Sequence, residues 1–146
     1  MKIFIYYSLT GNGDEIANYL KGKTDIRKVE VDKKDILPKN MFFRIMTGGF
    51  KALINYKDKL VNFDNDISKY SDIIIGSPVW NGKLSSPINS VLDKLDLSNK
   101  KVTFILYSGS GSSRVDDELK TKYNAKVINI KEPKKDKESI KNIVKI

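Results

Sequence analysis

The stretch Ser8-Leu9-Thr10-Gly11-Asn12-Gly13, SLTGNG, decides how this chain is read. It follows directly on Ile3-Phe4-Ile5-Tyr6-Tyr7, a nearly unbroken apolar and β-rich run of the kind needed by a strand covered on both faces. After it, Ile16, Ala17 and Leu20 recur at helical spacing. Hydroxyls, an amide and two glycines between a strand and a helix make either a plain capping turn or a cradle for an anion. The second is physically available because the first N–H groups of a helix have no partner within it and lie at the positive end of its dipole. Asn12 with Glu15 has capping-box spacing, and Gly22 suits a helix stop.

Outward from this stretch the pattern repeats. Ile26 to Val31 alternates as a second strand, Ile73-Ile74-Ile75 is a buried third, Val102 to Tyr107 a fourth, and Lys126 to Lys131 a fifth. Ser86-Pro87 is a helix start, followed by the apolar stripe Ile88, Val91, Leu92 and Leu95. Further helices are expected over Val115–Tyr123 and Ser139–Val144. Strands alternating with helices imply a doubly wound α/β fold: a five-stranded parallel sheet with helices on both faces. The charged, alternating strands 2 and 5 suit the edges and the apolar strands 1, 3 and 4 the centre, which gives the order 2-1-3-4-5. Residues 1–146 read as one domain.

Between strands 2 and 3 lies MFFRIMTGGFKAL, residues 41–53. Phe42, Ile45, Met46, Gly49 and Leu53 share a helical face, so a helix with a loop is expected, with its aromatics in the core. The pair Gly48-Gly49 either breaks this helix or lets it pack closely.

Composition removes whole classes of chemistry. The chain has no cysteine and no histidine. Disulfides, thiolate catalysis, cysteine- or histidine-bound zinc and Ser–His or Cys–His pairs are therefore absent, and an enzyme built on it would borrow its chemistry from a cofactor. The formal charge is +9. Residues 33–60 hold seven basic and two acidic side chains, and residues 120–146 nine and three. Such charge suits general solvation, an acidic protein partner, an anionic membrane surface or nucleic acid. Only Tyr123 interleaves the second cluster, which leaves nucleic acid poorly supported. The opening apolar run is too short for a signal peptide, and no run approaches a spanning helix, so no membrane is expected and the expected location is the cytoplasm.

In a parallel sheet the loops leaving the strands emerge at one edge, and ligands bind where the strand order reverses. Three such loops carry small residues: SLTGNG, Ser77-Pro78-Val79-Trp80-Asn81-Gly82, and Ser108-Gly109-Ser110-Gly111-Ser112-Ser113. Trp80 offers a flat apolar face or a rim cover. Asn81-Gly82 is a tight-turn pair able to take positive φ. The third loop is either a flexible connector or a source of backbone donors. Lys83 and Arg114 read as solvated surface unless they stand beside a ligand. Gly22-Lys23-Thr24 ends like a nucleotide-binding lysine loop, but Ala17 stands where its first glycine belongs, and Ile16 interrupts a dinucleotide fingerprint begun at Gly11.

Together, SLTGNG and Gly-Ser-Pro-Val-Trp-Asn-Gly at 76–82 resemble the phosphate loop and aromatic flavin loop of the flavodoxin-like family, and GGFKA at 48–52 resembles a GGF-x-A subgroup of its short-chain members. The resemblance covers essentially the whole chain. It implies FMN as cofactor, with Ser8, Leu9, Thr10, Gly11, Asn12 and Gly13 around the phosphate. It also implies Trp80 stacked on the isoalloxazine, with Ser77, Pro78 and Val79 among the cofactor-binding residues, Asn81-Gly82 near its N5, and Ser108, Gly109, Ser110 and Gly111 at its pyrimidine edge. The implied function is electron transfer between redox partner proteins, with an FMN-dependent NAD(P)H oxidoreductase as the alternative and a flavin-free interaction module third. Two departures stand out: Gly13 replaces a final threonine, and the third loop has no tyrosine to cover the second flavin face.

Overall fold

The computed structural model describes residues 1–143. Five strands form the parallel sheet: β1 (Lys2–Tyr6), β2 (Asp25–Lys28), β3 (Asp72–Trp80), β5 (Lys101–Ser108) and β6 (Lys126–Lys131). Their order is β2-β1-β3-β5-β6, so the predicted order and both predicted edge strands are observed. A sixth strand, β4 (Lys83–Leu84), was not expected. It pairs antiparallel with the end of β3, Trp80 opposite Lys83. Among the described residues the α-helices are α1 (Asn12–Leu20), α2 (Met41–Leu53), α3 (Ser86–Lys94) and α4 (Asp116–Tyr123). A 3-10 helix over Lys137–Ile143 stands where a closing helix was expected, and Val144 of that expectation lies outside the described residues.

The central strands feed two cores because successive side chains point to opposite faces. Ile3, Ile5, Ile73, Ile75, Phe104 and Leu106 enter one core with Ile88 and Val91 of α3 and Leu119 of α4. Phe4, Tyr6, Ile74, Ile105 and Tyr107 enter the other with Ile16, Ala17 and Leu20 of α1 and with Ile140. Gly76 sits between Tyr6 and Ile105 in the sheet. A Cβ there would come within 2.6 Å of the Phe4 ring, which itself stacks on Tyr6 at 4.9 Å.

α2 departs from expectation. It runs unbroken through both glycines, capped by Asn40, whose Oδ1 accepts the N–H groups of Phe42 (3.0 Å) and Phe43 (3.4 Å). Its buried residues are Gly48 and Ala52. Phe42, Phe43 and Phe50 are exposed, not in the core. The small residues let the helix backbone lie close to the body, which turns the large apolar side chains outward.

Candidate functional site

The first turn brings a helix N-terminus, hydroxyls and a cation together. Gly11, at φ 95°, is the N-cap of α1, a conformation that other residues rarely adopt. It offers no side-chain cap, and the expected capping box does not form. Asn12 is the first helical residue; its Oδ1 accepts the backbone N–H of Lys134 (2.9 Å) and its Nδ2 donates to Thr10 Oγ1 (3.4 Å). Ser8 Oγ accepts the Gly13 N–H (3.2 Å). Gly13 is buried, and a Cβ on it would stand 2.6 Å from Tyr107 Oη and 2.8 Å from Tyr6 Cδ2. Close packing, rather than approach to a ligand, explains glycine in place of threonine.

The sequence shows no lysine in this loop, but the structure places one on it. The Lys134 ammonium donates to the Thr10 carbonyl (3.2 Å), and its stem runs beside Gly11. The nearby carboxylate of Asp14 receives the Tyr6 hydroxyl and the Lys28 ammonium, both at 2.8 Å. Burial pushes the Asp14 carboxyl up, but Lys28 and Tyr6 outweigh this and hold it below its usual range. Its charge is thus matched by Lys28 and does not cancel the positive end of α1.

The second turn is shorter than expected, because β3 continues through Ser77, Pro78, Val79 and Trp80. Only Asn81 (φ 50°) and Gly82 (φ 75°) form the turn to β4, both in the left-handed region that tight hairpins require. Arg114 is not free surface. Its guanidinium donates to the Asn81 carbonyl (2.8 Å) and Oδ1 (3.1 Å), and its backbone N–H to the Gly82 carbonyl (2.8 Å). Trp80 meets Tyr7 edge to face at 5.9 Å, and Gly48 of α2 backs it so closely that a Cβ there would lie 3.4 Å from the indole. Ser77 is buried and turned inward: its Oγ accepts the Ser85 N–H (3.1 Å) and donates to the Pro78 carbonyl (2.8 Å).

The third turn closes on itself instead of hanging loose. Ser108 Oγ accepts the N–H groups of Gly111 (2.9 Å) and Ser112 (3.2 Å), and Gly111, at φ 73°, lies against Lys131. Ser110 Oγ meets Ser112 Oγ at 2.9 Å, and Gly109 has open space beside it.

These turns border one cleft of about 350 Å³. Leu9, Thr10 and Asn12 line it from the first, Pro78, Val79, Trp80 and Asn81 from the second, and Ser108 and Gly109 from the third. Ser8, Gly11, Gly13, Ser77, Gly82, Ser110 and Gly111 are not among the lining residues, and the bonds above show several of them shaping the turns. Sequence reasoning missed the wall that Leu37 and Arg44, Ile45, Gly48 and Gly49 of α2 supply beside Trp80, and missed Tyr107. The Arg44 guanidinium donates to the carbonyls of Pro38 (3.1 Å) and Lys39 (3.3 Å).

A buried ion cluster holds this wall. The Lys51 ammonium of α2 lies 2.5 Å from Asp58 and 3.2 Å from Asp35, and the Ser86 hydroxyl of α3 donates to Asp58. Burial pushes the Asp58 carboxyl up despite these partners. Burial disfavours the Lys51 ammonium too, yet the two carboxylates outweigh it and hold that group above its usual range.

Two phenols at or beside the cleft are shifted upward, away from neutral pH. Tyr7 is pushed up to about 12, first by burial and then by the Asp58 carboxylate. Tyr107, buried and donating to the Tyr7 carbonyl, is pushed well above its ordinary range by burial. No cluster of metal-binding side chains occurs among the described residues. What the cleft offers is a polar end at Thr10 and Asn12, with the Lys134 ammonium on the Thr10 carbonyl, and a flat aromatic wall at Trp80, which suits a ligand with a phosphate at one end and a planar ring at the other.

The sequence profile described as NADPH-dependent FMN reductase matches residues 1–134. The chain belongs to the NADPH-dependent FMN reductase family. FMN is its cofactor. The fold of this family member is also that of solved flavoproteins. One is the flavoprotein from Lactobacillus acidophilus NCFM crystallised in complex with FMN, at 21% identity, 92% coverage of this chain, 94% of that chain and TM-score 0.68. Another is a candidate flavoprotein from Bacteroides uniformis ATCC 8492, at 19% identity, 99% and 98% coverage and TM-score 0.68. The apo form of the L. acidophilus protein, solved by NMR, aligns at 21% identity, 88% and 89% coverage and TM-score 0.56. No curated relative matches this sequence.

Proposed function

We propose that this protein is an FMN-dependent NAD(P)H oxidoreductase that passes electrons to a quinone or similar acceptor. The family description supports the donor. The observation that carries the reading is the uneven cleft. Trp80, backed by Tyr7 and Gly48, walls one side, while the third turn has no side chain larger than serine and Gly109 adjoins open space. A flavin lying on Trp80 would keep its other face open to a second planar reactant.

When bound, FMN supplies a hydride acceptor that can release its electrons singly or in pairs. The chain's own residues bind and orient. Thr10, the open N-terminus of α1 and the Lys134 ammonium hold the phosphate. Trp80 stacks on the ring, and Arg114 keeps the Asn81-Gly82 turn in one conformation beside it. Ser108 and Gly109 border the ring's polar edge. Arg44 and Lys134 give the cleft mouth a positive field that suits the phosphates of a nicotinamide dinucleotide. Tyr107, buried and donating to the Tyr7 carbonyl, shapes the cleft as a neutral phenol. The GGFKA stretch of α2 supports placement among short-chain members. The +9 charge supports an acidic redox partner in the cytoplasm if electrons leave to a protein.

Anaerobic mixing of the FMN-loaded protein with NADPH or NADH is the test. Bleaching of the flavin band, restored by added quinone over many turnovers, is expected. A flavin that neither nicotinamide bleaches, but that a separate reductase does, would make the protein an electron carrier.

A further inference from the structure

Arg44 is the one charged residue among the described residues that line the cleft. It stands a helical turn before Gly48, which backs Trp80. Its Nε donates to the Pro38 carbonyl (3.1 Å) and its Nη2 to the Lys39 carbonyl (3.3 Å), so two bonds fix the plane of the guanidinium. Both acceptors are neutral, and no carboxylate among the described residues pairs with it. Its charge is therefore unmatched by the protein. The field of that charge reaches the aromatic wall: burial and then Asp58 push the Tyr7 phenol up, and Arg44 opposes them. Tyr7 in turn meets Trp80 edge to face at 5.9 Å. The two cations singled out from the sequence do not share this place. Arg114 is spent on the Asn81 carbonyl and side chain, and neither Arg114 nor Lys83 lines the cleft.

We propose that Arg44 tunes the redox potential of the bound FMN, holding the reduced, negatively charged ring more tightly than the oxidised one. This role rests on FMN occupying the cleft and holds whichever donor reduces it. Hydride delivery from NAD(P)H moves two electrons and one proton and leaves NAD(P)⁺. The ring then carries one negative charge unless solvent adds a second proton. The oxidised ring is neutral, so a fixed cation in the cleft favours the reduced state selectively. Arginine suits this because it stays charged at every working pH and, held by two carbonyls, needs no reorganisation when the negative charge develops. The other ionisable groups around the cleft leave its field uncancelled. Tyr7 and Tyr107 are phenols raised above their ordinary range by burial. Asp35 and Asp58 share Lys51, and Asp14 is matched by Lys28. The Lys134 ammonium stands on the first turn, at the phosphate end, where the charge is the same in both states of the ring.

Dye-equilibrated dithionite titration of the FMN-loaded protein, repeated from about pH 5 to about pH 9, is the test. The potential falls with pH at a slope that halves where the reduced ring loses its second proton. The wild type is expected to show that break at lower pH than free FMN in the same buffer. Arg44→Met is expected to weaken reduced FMN about tenfold more than oxidised FMN, the order for one unit charge lost from a partly desolvated cleft. For a two-electron couple that ratio lowers the potential by about 30 mV, and the break moves up by about one pH unit. The two potentials converge as pH falls below both breaks, because the reduced ring is then neutral in either protein. Arg44→Lys keeps the charge but not the fork on Pro38 and Lys39, and is expected to stay near the wild type. An Arg44→Met potential equal to the wild type at alkaline pH overturns the role. A deficit of one size at every pH, or one that Arg44→Lys shares, overturns it too, since each marks lost structure and not lost charge. Should neither variant fold, a wild-type break at or above that of free FMN overturns it. A wild-type protein that binds no FMN overturns the cofactor reading and this role together. A flavin that dithionite reduces and NAD(P)H does not would fall on the reductase reading alone, with the same potentials expected.

Discussion

Lys51→Met removes the ammonium that holds the α2 wall while keeping most of its aliphatic stem. The partner left behind is the decisive quantity. The Asp58 side chain is 1% exposed and Asp35 12%, with Lys51 itself at 15%. Removing one partner of a buried pair costs about 3–5 kcal/mol, most of it the uncompensated charge that remains. Because the site is partly open at Lys51, the lower end, about 3 kcal/mol, is expected. For a chain of this size that is a fall in Tm of about 6–12 °C, or about 1.5 M in urea midpoint at a slope near 2 kcal/mol per M. The pH dependence separates this from lost packing. Burial already raises the folded-state pKa of Asp58, and loss of Lys51 raises it further. A raised carboxyl favours the folded state where it is protonated and loses that contribution as pH rises through its folded value. The deficit of the variant is therefore largest at neutral pH and shrinks as pH falls toward the ordinary aspartate range near 4. Urea unfolding of the apo protein at several pH values is the assay, with Lys57→Met as control. Lys57 pairs with Asp93 at 2.5 Å, but both are over half exposed, so about 0–1 kcal/mol is expected. Equal losses in the two variants, or a Lys51→Met deficit that does not change with pH, would refute the buried-charge argument.

Three other outcomes follow from the site. Lys134→Met should weaken FMN roughly fivefold, the worth of about 1 kcal/mol for an exposed charge pair at contact distance, and leave riboflavin unchanged; equal losses for both ligands in fluorescence titrations would remove Lys134 from the phosphate. Trp80→Ala should cost about 1–3 kcal/mol of FMN affinity, by analogy with aromatic stacking on nucleobases, and shift the bound flavin's potential; a redox titration that matches wild type would take Trp80 off the ring. Gly13→Ala drives a methyl into Tyr107 and Tyr6 and should destabilise the apo protein by about 1–3 kcal/mol. An unchanged urea midpoint would mean that α1 shifts freely on the sheet.

Much of the fold was legible because it rests on short-range periodicity. The short, largely apolar and β-rich runs at Ile3–Tyr7, Ile73–Ile75 and Val102–Tyr107 suit central strands, and strands alternating with helices suit a parallel sheet. The three turns of the cleft were legible for the same reason: topology places every loop that follows a strand at one edge, and the small residues there are local signals. The end of β3 was not, since Pro78 and Asn81-Gly82 mark a turn whether the strand stops before Trp80 or after it. Only pairing with Lys83-Leu84 decides that.

The sequence by itself determined the sheet order, the place of the cleft and the absence of imidazole and thiol chemistry. Tertiary structure alone decided which side chains serve the cleft from a distance. Lys134 reaches the first turn across 122 residues because the chain returns past Asn12 after β6. Arg114 grips the Asn81-Gly82 turn from the far end of the third loop. The amphipathic pattern of α2 predicts one apolar face and is silent on its direction. Gly48 and Ala52 settle it, because contact with the body rewards the closest backbone approach on that side and leaves the phenylalanines outside. Periodicity reports which residues share a face, and only packing reports what that face meets.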